Sequence, residues 1–139
     1  TTSSAFKLHQ ATIMVDRIAD DYLRREHDTR YAPFLVLLMV RVLERPSQEA
    51  IAAALDVSRA SVTQRIAGLV QSELVVVEPD PSDSRANVVS LTPAGTRKAD
   101  AAWRGLEAHY SGVDDGVDEA ALVEQLDRII ANGTRILQS

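Results

Sequence analysis

Apolar residues recur along this chain with two periods, and the switch between them marks out its elements. Residues 5–27 set Leu8, Ile13, Met14, Ile18 and Leu23 among charged positions at helical spacing, which predicts a first helix. A second is predicted over 33–45, where FLVLLMV is nearly all apolar, Pro33 suits the first turn and Pro46 ends the run. Spanning a bilayer takes about 20 such residues, so this run reads as a buried core helix. Ser47 looks like an N-cap with Gln48 and Glu49 in the first turn, opening a short helix through Ala54 with Ala50, Ile51, Ala54 and Leu55 facing inward. After the turn LDV, Ser58 caps a helix over 59–72 whose Val62, Ile66, Leu69 and Val70 share one face.

The period then changes to that of strands. LVVVE (74–78) and NVVSL (87–91) are rich in β-branched residues, and PDPSDSRA between them has the composition of a turn, so a hairpin with a long tip is expected. Thr92 and Pro93 open a helix to about His109 that carries Trp103 and Leu106. SGVDDG breaks the chain, and Asp118 caps a last helix with Leu122, Leu126, Ile129, Ile130, Ile136 and Leu137 in one stripe. This order predicts a mainly α fold with a small β-hairpin wing, a winged helix-turn-helix, as a single domain over 1–139. The winged core would span about 33–92, flanked by helices at about 5–27 and 93–138. So small a core gives the flanking helices little to bury against within one chain, so they are expected to be dimerisation helices of a symmetric homodimer.

The helix at 59–72 carries the candidate chemistry. A recognition helix must bury one face and leave a small, polar one to enter a major groove about 12 Å wide. On a wheel, the face opposite Val62 and Ile66 holds Ala60, Ser61, Gln64, Ala67, Gly68 and Gln71, with no acid and nothing bulky. Gln64 can contact adenine with two hydrogen bonds, Ser61 can bond several base edges, and Ala60 suits a thymine methyl. Arg59 and Arg65 flank this face, where phosphates would run, and the Ser58 hydroxyl at the helix N-terminus can meet another. Taken alone, an amphipathic helix is better explained as a core helix with a solvated face. The capped helix before it and the wing after it favour DNA.

From SQEAIAAALDV through VSRASVTQRIAGL, DPSDSR and LTPAG, the chain resembles the MarR family of bacterial regulators. The flanking helices fit the same layout, so the resemblance covers nearly the whole chain. It implies a dimer with two recognition helices in successive major grooves and wings reaching adjacent minor grooves. Ala60, Ser61 and Gln64 match the base-reading positions, Arg85 the wing arginine, and Asp83 the acid that orients it. Family members commonly repress transcription and release DNA when a small, often aromatic, effector binds between the two halves. Three positions depart from the pattern: Ser84 replaces the first of two wing arginines, Glu73 a glycine after the recognition helix, and Val77 a basic residue in the first wing strand. These trim the positive field.

Composition narrows the alternatives. The net charge is −5, which argues against DNA until its distribution is seen. Residues 105–139 hold two basic and seven acidic groups and account for the whole deficit, while 58–72 carry only Arg59 and Arg65. Screening confines such interactions to about 10 Å, so local charge governs. There is no cysteine, hence no thiolate nucleophile, thiol redox sensor or cysteine-ligated zinc. His9, His27 and His109 share no ligand spacing, and no catalytic motif stands out, so no metal, cofactor or enzymatic activity is expected. The polar TTSS start is unlike a signal peptide, and a cytoplasmic protein with no membrane partner is expected. The competing reading is a winged-helix protein-interaction module, whose contact face should show exposed aromatic or large apolar anchors.

Overall fold

The computed structural model describes residues 3–109 and 112–139. The predicted break at 111–116 begins on Ser111, which lies outside the described residues, as do Thr1 and Thr2 of the polar start. Eight elements follow in order: α1 (Ser4–Glu26), α2 (Tyr31–Leu43), α3 (Gln48–Leu55), α4 (Arg59–Gln71), β1 (Val75–Asp80), β2 (Asp83–Leu91), α5 (Pro93–His109) and α6 (Glu119–Leu137). This is a mostly helical chain with one antiparallel hairpin, as the sequence predicts. It divides into two compact units, one up to Leu106 and one from Glu107.

In the first unit, α2, α3, α4 and the hairpin base bury one core. Val36, Leu37 and Val40 of α2 meet Ile51 of α3, Val62, Ile66 and Leu69 of α4, and Val75 and Val89 of the strands. Two inward assignments change. In α3, Ile51 and Ala52 are buried while Ala50 and Ala54 are exposed. Ile51 and half-buried Leu55, one turn apart, set the direction of the helix, and a methyl group gives Ala50 or Ala54 little pull against them. In α4, Val70 is 42% exposed. Its wheel position lies at the edge of the stripe that Val62, Ile66 and Leu69 centre.

Side chains settle most helix starts. The Oγ of Ser47 accepts the Ala50 N–H at 3.1 Å, and the Oγ of Ser58 accepts the Ser61 N–H at 3.1 Å. Thr92 closes the wing: its Oγ1 accepts the Gly95 N–H at 3.0 Å and donates to the Glu73 carbonyl at 2.7 Å. No side chain of its own start caps α2. Instead Asp20 of α1 accepts the Tyr31 N–H at 2.9 Å and grips both Nε and Nη2 of Arg30. These contacts, led by the Arg30 hydrogen bonds, hold the Asp20 carboxyl below its ordinary pKa.

Helix α4 ends in a Schellman motif. The Glu73 N–H bonds the Val70 carbonyl and the Leu74 N–H the Leu69 carbonyl, each at 2.9 Å, with Glu73 at φ 60°. That left-handed position is the one where the family pattern has glycine.

The wing is longer than the valine runs imply. Strand pairing reaches Asp80 and restarts at Asp83, so only Pro81 and Ser82 form the tip instead of the whole PDPSDSRA segment. The register runs regularly from Val75↔Leu91 to Pro79↔Asn87, then jumps to Asp80↔Asp83. Ser84, Arg85 and Ala86 are therefore extra residues on β2, a bulge opposite Pro79 and Asp80. At the base, the Val89 N–H donates to the Pro46 carbonyl at 2.9 Å.

In the second unit, Asp118 caps α6 by accepting the Ala121 N–H at 3.1 Å. No α6 residue is buried: Ile129, Ile130 and Ile136 are all more than half exposed, and Leu126 is half-buried.

Candidate nucleic-acid interface

The structure brings Ser58, Arg59, Ala60, Ser61, Gln64 and Arg65 onto the cap and first two turns of α4. Ala60 and Gln64 are exposed, Ser61 is half-buried, and Ala67, Gly68 and Gln71 continue the open face below them. Among the described residues, Gln64 makes no side-chain hydrogen bond within the chain, so its amide is open to an outside partner. The Ser58 oxygen is spent on the cap, which leaves its O–H as a donor. Thr63, on the side toward α3, donates to Oε1 of Gln48 at 2.7 Å and braces the two helices.

The basic groups differ in their settings. Arg59 is exposed but already engaged: its Nη1 donates to Oε1 of Glu49 on α3. Arg65 is half-buried and lines a cavity of about 450 Å³ together with Arg30, Gln64, Gly68 and Lys98. Arg85 is exposed in the bulge and, among the described residues, its guanidinium has no ion-pair or hydrogen-bond partner. Asp83 accepts the backbone N–H of Arg85 at 3.0 Å. It thus shapes the bulge and makes no ion pair with the arginine head.

Arg59, Asp83 and Arg85 come together in a polar cleft of about 300 Å³, walled by Ser47, Gln48 and Glu49 on one side and Ala86 and Asn87 on the other. The open face of α4 presents small and polar side chains, and the cleft beside it presents two guanidinium groups. Sequence reasoning missed Glu49 and Gln48 as partners because each lies ten or more residues from the group it holds. It also missed Asp80, whose Oδ1 accepts both the N–H of Ser82 at 2.9 Å and its O–H at 2.8 Å and so fixes the wing tip. The backbone donor, followed by the hydroxyl, lowers the Asp80 pKa. An Asp-Pro-Ser turn is the signal that identifies it.

Among the described residues, no group of three or more His, Cys, Asp or Glu is placed to hold a metal ion, and no helix is long and apolar enough to cross a membrane. His27 bonds Tyr22 through Nε2 at 3.1 Å, and the pair packs on Gly105, where a Cβ would lie 2.1 Å from the Tyr22 hydroxyl.

A capped helix with an open, acid-free face, braced on a preceding helix and followed by an arginine-bearing hairpin, defines a winged helix-turn-helix. Residues 27–86 match the sequence model of the MarR family. The fold matches wild-type MarR from E. coli in its apo form (TM-score 0.82, 22% identity, 94% of this chain and 97% of that one). It also matches a MarR mutant from E. coli complexed with operator DNA (0.78, 23%, 91% of each). A third match is CouR from Rhodococcus jostii RHA1 bound to p-coumaroyl-CoA (0.83, 22%, 92% and 90%). No curated protein sequence matches significantly. The chain is thus similar to the MarR family in sequence over residues 27–86, and over most of its length it shares the fold of solved MarR proteins.

Proposed function

We propose that the protein is a cytoplasmic repressor that binds a pseudo-palindromic operator as a homodimer and leaves it when a small aromatic effector binds. The observation that carries the DNA reading is the outer face of α4, where Ala60, Ser61 and Gln64 stand free of acids and bulky groups. These residues read bases, Ser58, Arg59 and Arg65 meet phosphates, and Arg85, on a bulge shaped by Asp83, enters the minor groove. Two recognition helices on a two-fold axis would place half-sites about one helical turn apart.

The apolar stripe of α6 supports the dimer. A helix with no buried residue and exposed Leu122, Val123, Ile129, Ile130 and Ile136 has its hydrophobic burial still to make. The 450 Å³ cavity supports the effector. It is lined by Gln64 and Arg65, so a ligand there touches the helix that reads the bases. To release DNA it must bind the incompetent arrangement more tightly. CouR was solved with p-coumaroyl-CoA, and BpsR from Bordetella bronchiseptica is described as regulated in DNA binding by 6-hydroxynicotinic acid.

The test is a titration against fluorescent duplex from the region flanking the protein's own gene, beside a shuffled duplex, across a salt series. Saturable binding at least about 1,000-fold tighter to one duplex, weakening steeply with salt, is expected. Equal, weak binding to both would sink the autoregulatory operator and turn the search to a protein partner.

A further inference from the structure

We propose that Glu49 is a competitor for Arg59, an internal stand-in for a DNA phosphate that sets how strongly the protein holds any duplex. This rests on the DNA-binding reading above. The cleft between α3, α4 and the wing contains two guanidinium groups, Arg59 and Arg85, and two carboxylates, Glu49 and Asp83. The carboxylates are used differently. Asp83 accepts a backbone N–H within its own strand. Glu49 holds the guanidinium of Arg59, the first residue of the recognition helix.

A phosphodiester entering the cleft presents the same chemistry that Glu49 presents now: anionic oxygens at hydrogen-bond distance from a guanidinium. The guanidinium has five N–H donors, and Glu49 and a phosphate compete for the Nη1 N–H that Glu49 now holds. The existing pair is readily exchanged, because its side chains are 55% and 77% exposed and pairs in water are weak. After exchange, the displaced carboxylate remains on the cleft wall beside the incoming charge. Arg59 therefore counts for less than a full phosphate contact, and Arg85, with no such partner among the described residues, counts for more.

The experiment compares wild type, Glu49→Gln, Arg59→Ala and the double variant on a random-sequence fluorescent duplex over a salt series. Such a duplex isolates the backbone contribution. Glu26→Gln, which adds the same charge away from the cleft, is the control, and thermal melts check folding. Glu49→Gln is expected to bind about three- to tenfold tighter at low salt, with a salt dependence steeper by about 0.9 per protomer. The gain should vanish in the Arg59→Ala background and be absent in Glu26→Gln. Unchanged affinity in Glu49→Gln, or a gain that survives without Arg59, overturns the proposal; the latter would mean that Glu49 only repels DNA. If neither wild type nor Glu49→Gln binds duplex at any salt, the DNA-binding reading fails, and this proposal with it.

Discussion

Asp20 shows how one side chain can start a helix from a distance. It supplies α2 with the cap that Arg30 does not provide, and it ties that cap to the Arg30 guanidinium. Replacing Asp20 with Ala should cost about 1–2 kcal/mol in urea unfolding at neutral pH. Because the folded carboxyl titrates below its ordinary value, this stability is fully present above about pH 4 and is lost as pH falls through the lowered folded value. The gap between wild type and Asp20→Ala should therefore close in acid, and a gap unchanged at pH 3 would refute the role. At the interface, Gln64→Ala should relax preference at one base position by about 1–3 kcal/mol, read by competition among duplexes differing at single positions. Arg85→Ala should weaken all duplexes alike and flatten the salt dependence, and an unchanged slope would remove the wing from the contact. Gln64 and Arg85 were singled out by their setting on a helix face and in DPSDSR. The pairs between helices were not legible, since Glu49–Arg59 and Asp20–Tyr31 join different helices and leave no local pattern.

Among the elements, those the sequence predicts best are those whose signals are local. Ser47, Ser58 and Asp118 cap the helices they precede, because a cap acts within three residues. The wing was harder to read. Pro79, Asp80 and Asp83 have turn composition, yet they are drawn into strands by pairing across the hairpin, which no single segment encodes. Glu73 changes meaning at this scale. In sequence it removes positive field; in the fold it occupies the left-handed position of a Schellman motif, a backbone matter. Glu73→Gly should leave the motif intact and raise stability by up to about 1 kcal/mol, the relief of a left-handed side chain less the entropy of glycine. A lower melting temperature would show that the Glu73 side chain makes a compensating contact. Gly95 is the opposite case, because a Cβ there would sit 2.0 Å from the Leu74 carbonyl oxygen. This close approach explains the glycine of LTPAG.

At the scale of the whole molecule, the stripe on α6 was legible and what covers it was not, because an exposed apolar face does not itself say what packs on it. If a second copy covers it, the melting temperature should rise with protein concentration. Ile130→Glu should then shift the mass in sedimentation from dimer to monomer. In a lone protomer the same change would scarcely matter, since Ile130 is 64% exposed. A wild type that stays monomeric at every concentration would overturn the homodimer.

The displaced register of the hairpin has a consequence for how such proteins diversify. The ladder from Val75 to Pro79 against Asn87 to Leu91, pinned at Val89 to Pro46, joins the core, whereas residues 80–86 lie beyond it. Adding or deleting residues among Ser84, Arg85 and Ala86 leaves that ladder in register, and doubling a flexible loop costs only about 0.6 kcal/mol. The reach of the wing is thus free to drift over evolutionary time while the foldable part of the hairpin stays in place, and if the wing touches DNA as proposed, a new preference can be acquired without first re-solving the fold.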